Sequence, residues 1–203
     1  MIRTGFIYAS VPFLAGVLLA WKGWWLAAIV LLGLAGFALF FFRDPERVVA
    51  TMPGAIVSPA DGRVLAVEET TLEGVLQTQI SIFLSLFDVH VNRAPIAGTL
   101  VDVRYRPGKF HVASRAQASS ENEQNEIVVE GEGTRVLFKQ IAGILARRIE
   151  FWNKPGDRLE RGQRVGMIRF GSRVEVFFDP RYRVQVKPGE HVQGGSSILA
   201  LKP

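Results

Sequence analysis

Residues 5–42 constrain the fold most strongly, because Lys22 is their only charged side chain. A helix that packs on the core of a soluble protein usually has a polar face towards water. These residues provide no such face, which disfavours a pair of core helices in a soluble protein. Two apolar runs, Gly5–Trp21 and Trp24–Phe42, flank the break at Lys22. A bilayer-spanning helix needs about 20 apolar residues, with a lower limit of about 17. The second run meets this length and the first lies at the limit, so the pattern predicts a membrane-associated helical hairpin over residues 1–42.

Basic residues at both ends orient the predicted hairpin. Arg3 precedes the first run, Arg43 follows the second, and no Asp or Glu occurs before Asp44. Under the positive-inside rule both ends lie in the cytoplasm, which predicts residues 43–203 on the cytoplasmic face of the cell membrane. A shallow re-entrant hairpin that only dips into the bilayer remains an alternative, because the first run is short and contains Pro12.

The charge and the missing cysteines exclude several classes of protein. The chain has 203 residues, a net charge of +5 and no Cys, so disulfides, thiolate nucleophiles and Cys-based zinc sites are ruled out. The 24 basic residues are dispersed and form no basic run, which argues against a nucleic-acid partner. The modest positive charge suits an anionic membrane surface instead.

From residue 55 onward the sequence predicts a β-rich domain. Apolar and polar residues alternate in short runs that are separated by Gly- and Pro-containing turns. The segment 143–151 stays open between a strand and a short helix. The predicted strands lie within Ala55–Val67, Gln79–Phe87, Thr99–Arg106, Glu126–Glu130, Thr134–Ile141, Gln163–Phe170, Arg173–Phe178, Tyr182–Val186 and Ile198–Leu201.

An internal repeat narrows the β architecture. Lys154–Ile168 and Lys187–Leu201 each contain a Pro-Gly turn, an acidic residue, an apolar residue, a Gly turn and a short strand. This pattern resembles the hammerhead turns of biotinyl and lipoyl carrier domains. The resemblance implies a mainly β fold with a barrel-sandwich core built from two related halves. It does not imply a carrier function, because no Lys lies at a hairpin tip in the carrier's Met-Lys context.

The pair Gly171-Ser172 interrupts two strand-like segments. Glycine weakens a strand and usually marks a bulge, a bend or a close approach of the backbone. Taken alone, the stretch is consistent with a bulge or with a peptide bond that the protein cuts itself. A second pair, Gly195-Ser196, lies in the second copy of the repeat and is interpreted as a turn, because a cut there would leave only eight residues.

Two further positions are candidates for acid–base chemistry. Asp61 lies in an Asp-Gly sequence that is typical of a tight turn, so a purely structural role competes with a catalytic one. His90 follows a predicted strand together with Asp88, Asn92 and Arg93. For this histidine a structural and a catalytic role are evenly balanced on the residues alone.

Five motifs follow one another in the chain after residue 40. They are Phe41–Arg47, Ser58–Gly62, Phe83–Pro95, the Ser-Glu-Asn-Glu sequence at 120–123, and Arg169–Arg173. Together they resemble the motifs of phosphatidylserine decarboxylase proenzymes of the short bacterial or archaeal type. The resemblance covers nearly the whole chain after residue 40, and the spacing of the motifs makes it specific.

The resemblance implies a self-processing enzyme. It implies that the bond between Gly171 and Ser172 is cut, which yields a β-chain of residues 1–171 and an α-chain of residues 172–203. Ser172 is converted into a pyruvoyl group, which is the cofactor, and neither a metal nor pyridoxal phosphate is required. The implied reaction converts phosphatidylserine to phosphatidylethanolamine and CO₂. The implied partners are the lipid substrate, the bilayer and the protein's own second chain, while a homo-oligomer stays open.

The resemblance also implies roles for single residues. Asp61 and His90 match the family's Asp and His that activate the serine for self-cleavage. Longer family members carry a second histidine three residues after the first, where this chain has Arg93, which cannot act as a base at ordinary pH. His90 could then serve both processing and decarboxylation, or Asp61 could act without a histidine. His111 is a substitute, and His191 is a weaker one because it lies in a hammerhead turn.

Two alternatives to this function remain at the level of sequence. A non-enzymatic, membrane-anchored adaptor with a lipoyl-like domain would explain the hairpin and the repeat. It would not explain the motifs around His90 and Ser172. A decarboxylase of a related serine ether lipid would act on the same head group.

Overall fold

A computed structural model describes residues 3–144, 148–169 and 171–203. The chain forms two compact units, Met1–Glu46 and Arg47–Pro203. The first unit consists of helices α1 (Arg3–Trp21) and α2 (Trp25–Phe41).

Helices α1 and α2 form a hairpin around Gly23. The backbone of Gly23 has a φ of +83°, a left-handed conformation that glycine adopts without strain. Gly16 lets the helices approach closely, because a Cβ atom at this position would lie 3.0 Å from Cγ of Leu32. The predicted hairpin of two apolar helices is therefore confirmed.

The relative lengths of the two helices differ from the prediction. Among the described residues, Thr4–Trp21 in α1 is the one stretch long and apolar enough, by length and composition, to cross a membrane. Helix α2 has only 17 residues, because Trp24 and Phe42 lie outside its ends as caps. Helix α1 has 19 residues because it already begins at Arg3. Helix α2 therefore lies at the lower limit of about 17 residues and α1 exceeds it, so the two helices have exchanged the relative lengths expected from the sequence.

The described part of the second unit is built from fourteen strands and one short helix, α3 (Ala118–Glu121). The strands are β1 Ala55–Val57, β2 Gly62–Leu72, β3 Val75–Leu84, β4 Val91–Arg93, β5 Gly98–Arg106, β6 Gln124–Gly131, β7 Thr134–Ile141, β8 Ile149–Phe151, β9 Arg158–Leu159, β10 Arg164–Ile168, β11 Ser172–Phe178, β12 Arg183–Val184, β13 His191–Val192 and β14 Ile198–Leu201. The predicted class, a mainly β core with an N-terminal helical hairpin, is confirmed.

Strand order reveals two interleaved halves. An eight-stranded sheet has the order β13-β2-β3-β11-β7-β6-β5-β9, and two three-stranded sheets have the orders β1-β14-β12 and β4-β10-β8. One half consists of β1, β2, β3, β11, β12, β13 and β14, and its counterparts in the other half are, in the same order, β4, β5, β6, β7, β8, β9 and β10. When each strand is replaced by its counterpart, the order of the eight-stranded sheet is reversed and the two three-stranded sheets change places. The half β4–β10 is thus inserted between β3 and β11 of the other half. The two halves predicted from the sequence repeat are present, and the predicted hammerhead copies form β9–β10 and β13–β14.

Several strand boundaries differ from the prediction, and the end of β3 has an identifiable cause. Strand β3 ends at Leu84 rather than Phe87, because the Asp88 carboxylate accepts hydrogen bonds from the backbone N–H and the hydroxyl of Ser85 and closes a turn. The undecided segment 143–151 contains strand β8, which pairs with β10. Residues 145–147 of that segment lie outside the described residues.

Strand β11 lies at the centre of the large sheet and is buried along its whole length. Its alternate residues Val174, Val176 and Phe178 point into the apolar core, as the period of two in a strand requires. Opposite them, Phe138 of β7 is completely buried in the main core cluster. The core therefore holds β11 by side-chain packing as well as by backbone hydrogen bonds.

Phe138→Ala should lower the free energy of unfolding by about 3–5 kcal/mol, because a large buried ring leaves a cavity. Chemical denaturation of the detergent-solubilised full chain, followed by circular dichroism, measures the effect. The control is Val101→Ala on the same sheet, a position that is 42% exposed and should change stability by less than about 0.5 kcal/mol. Equal effects of the two substitutions would contradict the assigned core.

Candidate active site

Ser172 is the first residue of β11 and is completely buried. Gly171 before it has a φ of +64°, so the chain enters the strand through a left-handed residue. No hydrogen-bond partner for Ser172 Oγ occurs within residues 3–144, 148–169 and 171–203. A buried hydroxyl without a partner costs free energy, and in a native structure such a group calls for an explanation.

A small apolar cluster brings the predicted site residues into one region. It comprises Ala60, Leu84, Ala142, Ile168 and Val174. Ala60 directly precedes Asp61, and Leu84 pairs with Ser172 across β3 and β11. The backbone N–H of Ile168 donates to the carbonyl of His90 at 3.3 Å. Asp61, His90 and Ser172 are therefore each attached to a member of this cluster.

His90 is completely buried, and its ring is oriented by its own chain. The Nδ1 atom lies 3.0 Å from the carbonyl oxygen of Asp88. Because a carbonyl oxygen only accepts hydrogen bonds, this contact places the proton on Nδ1 in the neutral ring. Nε2 then carries the lone pair, which is the form of histidine that accepts a proton.

Asp61 is a buried carboxylate held from two sides. Its Oδ2 forms an ion pair with Arg47, and its Oδ1 accepts a hydrogen bond from the backbone N–H of Gly194 at 2.8 Å. Burial raises the pKa of Asp61 and outweighs the lowering by Gly194 and Arg47. The nearby Asp88 raises the pKa further, whereas His191 lowers it.

Asp88 connects the buried part of the site to its exposed edge. Its Oδ1 lies 2.9 Å from Nε2 of His191, whose side chain is 58% exposed. The hammerhead turn thus places His191 beside Asp88 and within electrostatic reach of Asp61. Nε2 of His111 instead lies 3.2 Å from a carboxylate oxygen of Glu121 at the exposed surface.

Comparison with known proteins assigns this arrangement to a family. The sequence model described as phosphatidylserine decarboxylase matches residues 34–200. A phosphatidylserine decarboxylase proenzyme of Solibacter usitatus (strain Ellin6076) is 52% identical over 202 residues, covering 100% of this chain and 97% of that relative. The chain belongs to the phosphatidylserine decarboxylase family.

Further relatives with the same name cover nearly as much of the chain. The proenzyme of Symbiobacterium thermophilum is 44% identical over 99% of this chain and 95% of its own length. That of Nitratidesulfovibrio vulgaris is 46% identical over 93% of this chain and 88% of its own length. The family resemblance predicted from the five motifs is therefore confirmed.

Arg93, where longer members of the family would carry a second histidine, has a packing role. It is nearly buried, and its guanidinium donates to the carbonyl of Gly162 at 3.0 Å. Its Cδ lies 3.0 Å from the place that a Cβ at position 195 would occupy. Arg93 thereby joins the two hammerhead turns.

Sequence reasoning missed two residues that surround the Asp61 carboxylate. Arg47 is the last residue of the Phe41–Arg47 motif, and nothing in that motif indicates that it forms the ion pair. Gly194 lies in the second repeat, and a backbone N–H leaves no trace in a residue pattern. The signal available in the sequence was the motif that ends at Arg47.

The second Gly-Ser pair forms a turn, as predicted, because the N–H of Ser196 donates to the carbonyl of Gln193.

The raised pKa of Asp61 predicts how its contribution to stability depends on pH. A carboxyl group whose pKa lies above 3.8 in the folded protein binds protons more readily than in the unfolded chain. Relative to Asp61→Asn, the protein should therefore lose stability as the pH rises from 3.8 through the raised pKa. Thermal unfolding at a series of pH values measures this difference, with both proteins carrying Ser172→Ala so that processing cannot differ.

The opposite trend would contradict this account of the site. If the ion pair with Arg47 outweighed burial, the pKa of Asp61 would lie below 3.8 in the folded protein. The protein would then gain stability relative to Asp61→Asn as the pH rises. Asp179, a partly exposed acid whose pKa is lowered by Arg181, provides a control with that sign.

Proposed function

We propose that the protein is a self-processing, pyruvoyl-dependent decarboxylase that converts phosphatidylserine to phosphatidylethanolamine and CO₂ in phospholipid biosynthesis. The observation that carries the proposal is the buried Ser172 hydroxyl, which has no partner among the described residues and follows a left-handed glycine. The family shown by the comparisons supports the reaction. A chain 52% identical over 97% of its length is named a proenzyme, which supports processing.

Self-cleavage begins when Oγ of Ser172 attacks the carbonyl carbon of Gly171. The hydroxyl is a weak nucleophile and needs a base to take its proton. The Nδ1 contact with the Asp88 carbonyl leaves Nε2 of His90 able to accept that proton. The bond between the carbonyl carbon and the Ser172 nitrogen then breaks, the nitrogen takes up a proton, and an ester joins Gly171 to the serine side chain.

Elimination completes the cut. Removal of the Cα proton of Ser172 expels the carboxylate of Gly171 and leaves dehydroalanine at position 172. Addition of water and loss of ammonia convert this residue into a pyruvoyl group. The raised pKa of Asp61 makes this buried carboxyl the second candidate for holding a proton during processing. No oxidant or metal is needed to balance these steps.

The site at residue 172 fits a pyruvoyl group because it is enclosed by apolar side chains and leaves the Ser172 oxygen without a partner. A pyruvoyl group at this position would supply a carbonyl that can bond covalently to the substrate amine and take up the electrons that remain when CO₂ departs. Leu84, Ile168 and Val174 exclude bulk water from this position. His90 and Asp61, each attached to a member of the same apolar cluster, supply groups that can hold or move protons.

The fold explains how the short fragment 172–203 would stay attached after cleavage. Strand β11 pairs with β3 over seven residues and with β7 over five. Strand β13 pairs with β2, and β14 pairs with β1. These ladders, together with the buried face of β11, link the two proposed chains without a peptide bond.

The apolar helices fit a lipid substrate. We assign residues 1–42 to a membrane-associated hairpin and residues 43–203 to the catalytic domain, which becomes a heterodimer on cleavage. The length and composition of Thr4–Trp21 support membrane attachment. Arg3 and Arg43 support the cytoplasmic face.

Ser172→Ala should abolish both processing and CO₂ release from phosphatidylserine while leaving the fold intact, because the nucleophile and the precursor of the cofactor are lost together. Intact mass spectrometry should show fragments 1–171 and 172–203 in the wild type, with the smaller one blocked to N-terminal sequencing. The matched control is Ser196→Ala in the turn of the second Gly-Ser pair, which should be processed normally.

A single uncut chain in active wild-type protein would overturn the mechanism. A folded Ser172→Ala variant that still releases CO₂ would do the same. Assays with ester-linked and ether-linked phosphatidylserine separate the proposed substrate from the related ether lipid. An adaptor without enzymatic activity would release CO₂ from neither.

The choice of base is tested by comparing His90→Gln with His191→Gln. His90→Gln should slow processing by about 100-fold or more, because general-base catalysis typically contributes a factor of about 10²–10⁴. His191→Gln should leave processing close to the wild-type rate, since its ring is half-exposed and bound to Asp88. The fraction of cut chain against time after synthesis measures both. The reverse ranking would move the role to His191.

A further inference from the structure

The carbonyl group of Gly171 lies against residue 143. A Cβ atom built on Gly143 would lie 2.0 Å from the Gly171 oxygen and 3.0 Å from its carbonyl carbon. Both atoms belong to the peptide bond proposed to be cut. Real Cβ atoms do not approach a backbone oxygen to 2.0 Å, so any other residue at position 143 would displace this carbonyl group or its own segment.

A second segment borders the same gap. The Cβ atom of Ala113 lies 3.2 Å from the position that a side chain on Gly143 would take. Both Ala113 and Gly143 are buried. The loop before α3 and the segment after β7 therefore enclose the space that the Gly171 oxygen occupies.

One buried side chain fixes both segments. Asn122 is 1% exposed, and its Nδ2 donates to the carbonyls of His111 at 2.9 Å and Ala142 at 2.7 Å. Its Oδ1 accepts from the backbone N–H of His111 at 2.8 Å. A single amide thus ties residue 111 to residue 142, each within two positions of the residues that border the gap.

We propose that Gly143 and Asn122 are positioning residues for self-cleavage. This inference rests on the proposed function. Gly143 leaves room for the carbonyl oxygen of Gly171, and Asn122 holds the two segments that frame it. A nucleophile attacks a carbonyl carbon only along a narrow range of directions, and misplacement by about 1 Å can cost a factor of about 100 in rate. The proposal also gives Asn122, and with it the Ser-Glu-Asn-Glu motif, a function that a merely solvated loop would not have.

Close packing of glycine also occurs where no reaction is involved, which provides a matched control. A Cβ on Gly98 would lie 2.3 Å from the backbone oxygen of Glu130, within the pairing of β5 and β6. Gly98→Ala and Gly143→Ala therefore introduce the same methyl group against the same kind of atom. Only the second contacts the peptide bond proposed to be cut.

The first experiment compares the processing rates of these two variants in the full-length chain. Gly143→Ala should slow the appearance of fragments 1–171 and 172–203 by about 100-fold, whereas Gly98→Ala should be cut at close to the wild-type rate. Thermal unfolding of Ser172→Ala versions of both shows whether the stability losses are similar. A purely structural role would slow neither variant, or both in proportion to lost stability.

The second experiment tests Asn122 and serves also if Gly143→Ala does not fold. Asn122→Asp has nearly the same size and can still accept from His111, but it loses the two donated hydrogen bonds. We expect slower processing than in Asn125→Asp, which changes a buried amide that contacts Gln140 instead. Equal processing by these two variants would remove Asn122 from the proposal.

The outcomes separate the inference from the function on which it rests. If the wild type is never cut, the proposed function fails and this inference fails with it. If the wild type is cut and a folded Gly143→Ala variant is cut equally fast, the function stands and the positioning role of Gly143 is wrong. Slow processing of Gly143→Ala and Asn122→Asp, with normal processing of both controls, supports the inference.

Discussion

The structure depends on the pairing of β11 on both of its edges. Its backbone is hydrogen-bonded to β3 on one side and to β7 on the other, and its inward side chains fill the core. These two neighbours come from different halves of the interleaved repeat, so β11 is where the halves join. The chain enters this strand through Gly171 after completing the inserted half. A cut at this junction would remove one peptide bond and leave the pairing of Arg173–Phe178 in place, so the proposed self-cleavage is compatible with the fold.

The same junction concentrates buried polar chemistry. Ser172, His90 and Asp61 are all buried, and polar groups are costly there unless they are paired or functional. Asp61 is paired with Arg47 and with the N–H of Gly194, yet burial still raises its pKa. His90 has its tautomer fixed by a carbonyl. The apolar packing around these groups offsets the free-energy cost of burying them. Such an arrangement fits a site where a weak nucleophile must be activated.

The sequence repeat also contributes contacts to the candidate site. Sequence alone related it to hammerhead turns, which are architectural. In the structure the second copy contributes Gly194 to the Asp61 carboxylate and His191 to Asp88, while Arg93 bridges the turns of both copies. An architectural element therefore also forms part of the wall of the candidate site. His191 lies outside the five motifs, and the turn nevertheless places it beside Asp88, which belongs to the Phe83–Pro95 motif.

The local features of the protein follow from its residue pattern alone. The apolar composition of residues 5–42 dictated helices, the alternation of β11 dictated a strand, and ordered motifs indicated the family, because each of these signals is carried by neighbouring residues. The residue pattern placed Ser172, His90 and Asp61 on the correct turns and strand ends. Three contacts became visible only in the folded chain: Gly143 lies against the Gly171 carbonyl, Asn122 ties two distant segments together, and Arg47 pairs with Asp61. These contacts join residues far apart in the chain through backbone atoms and strand register, and neither of these is written in the residue types of one sequence.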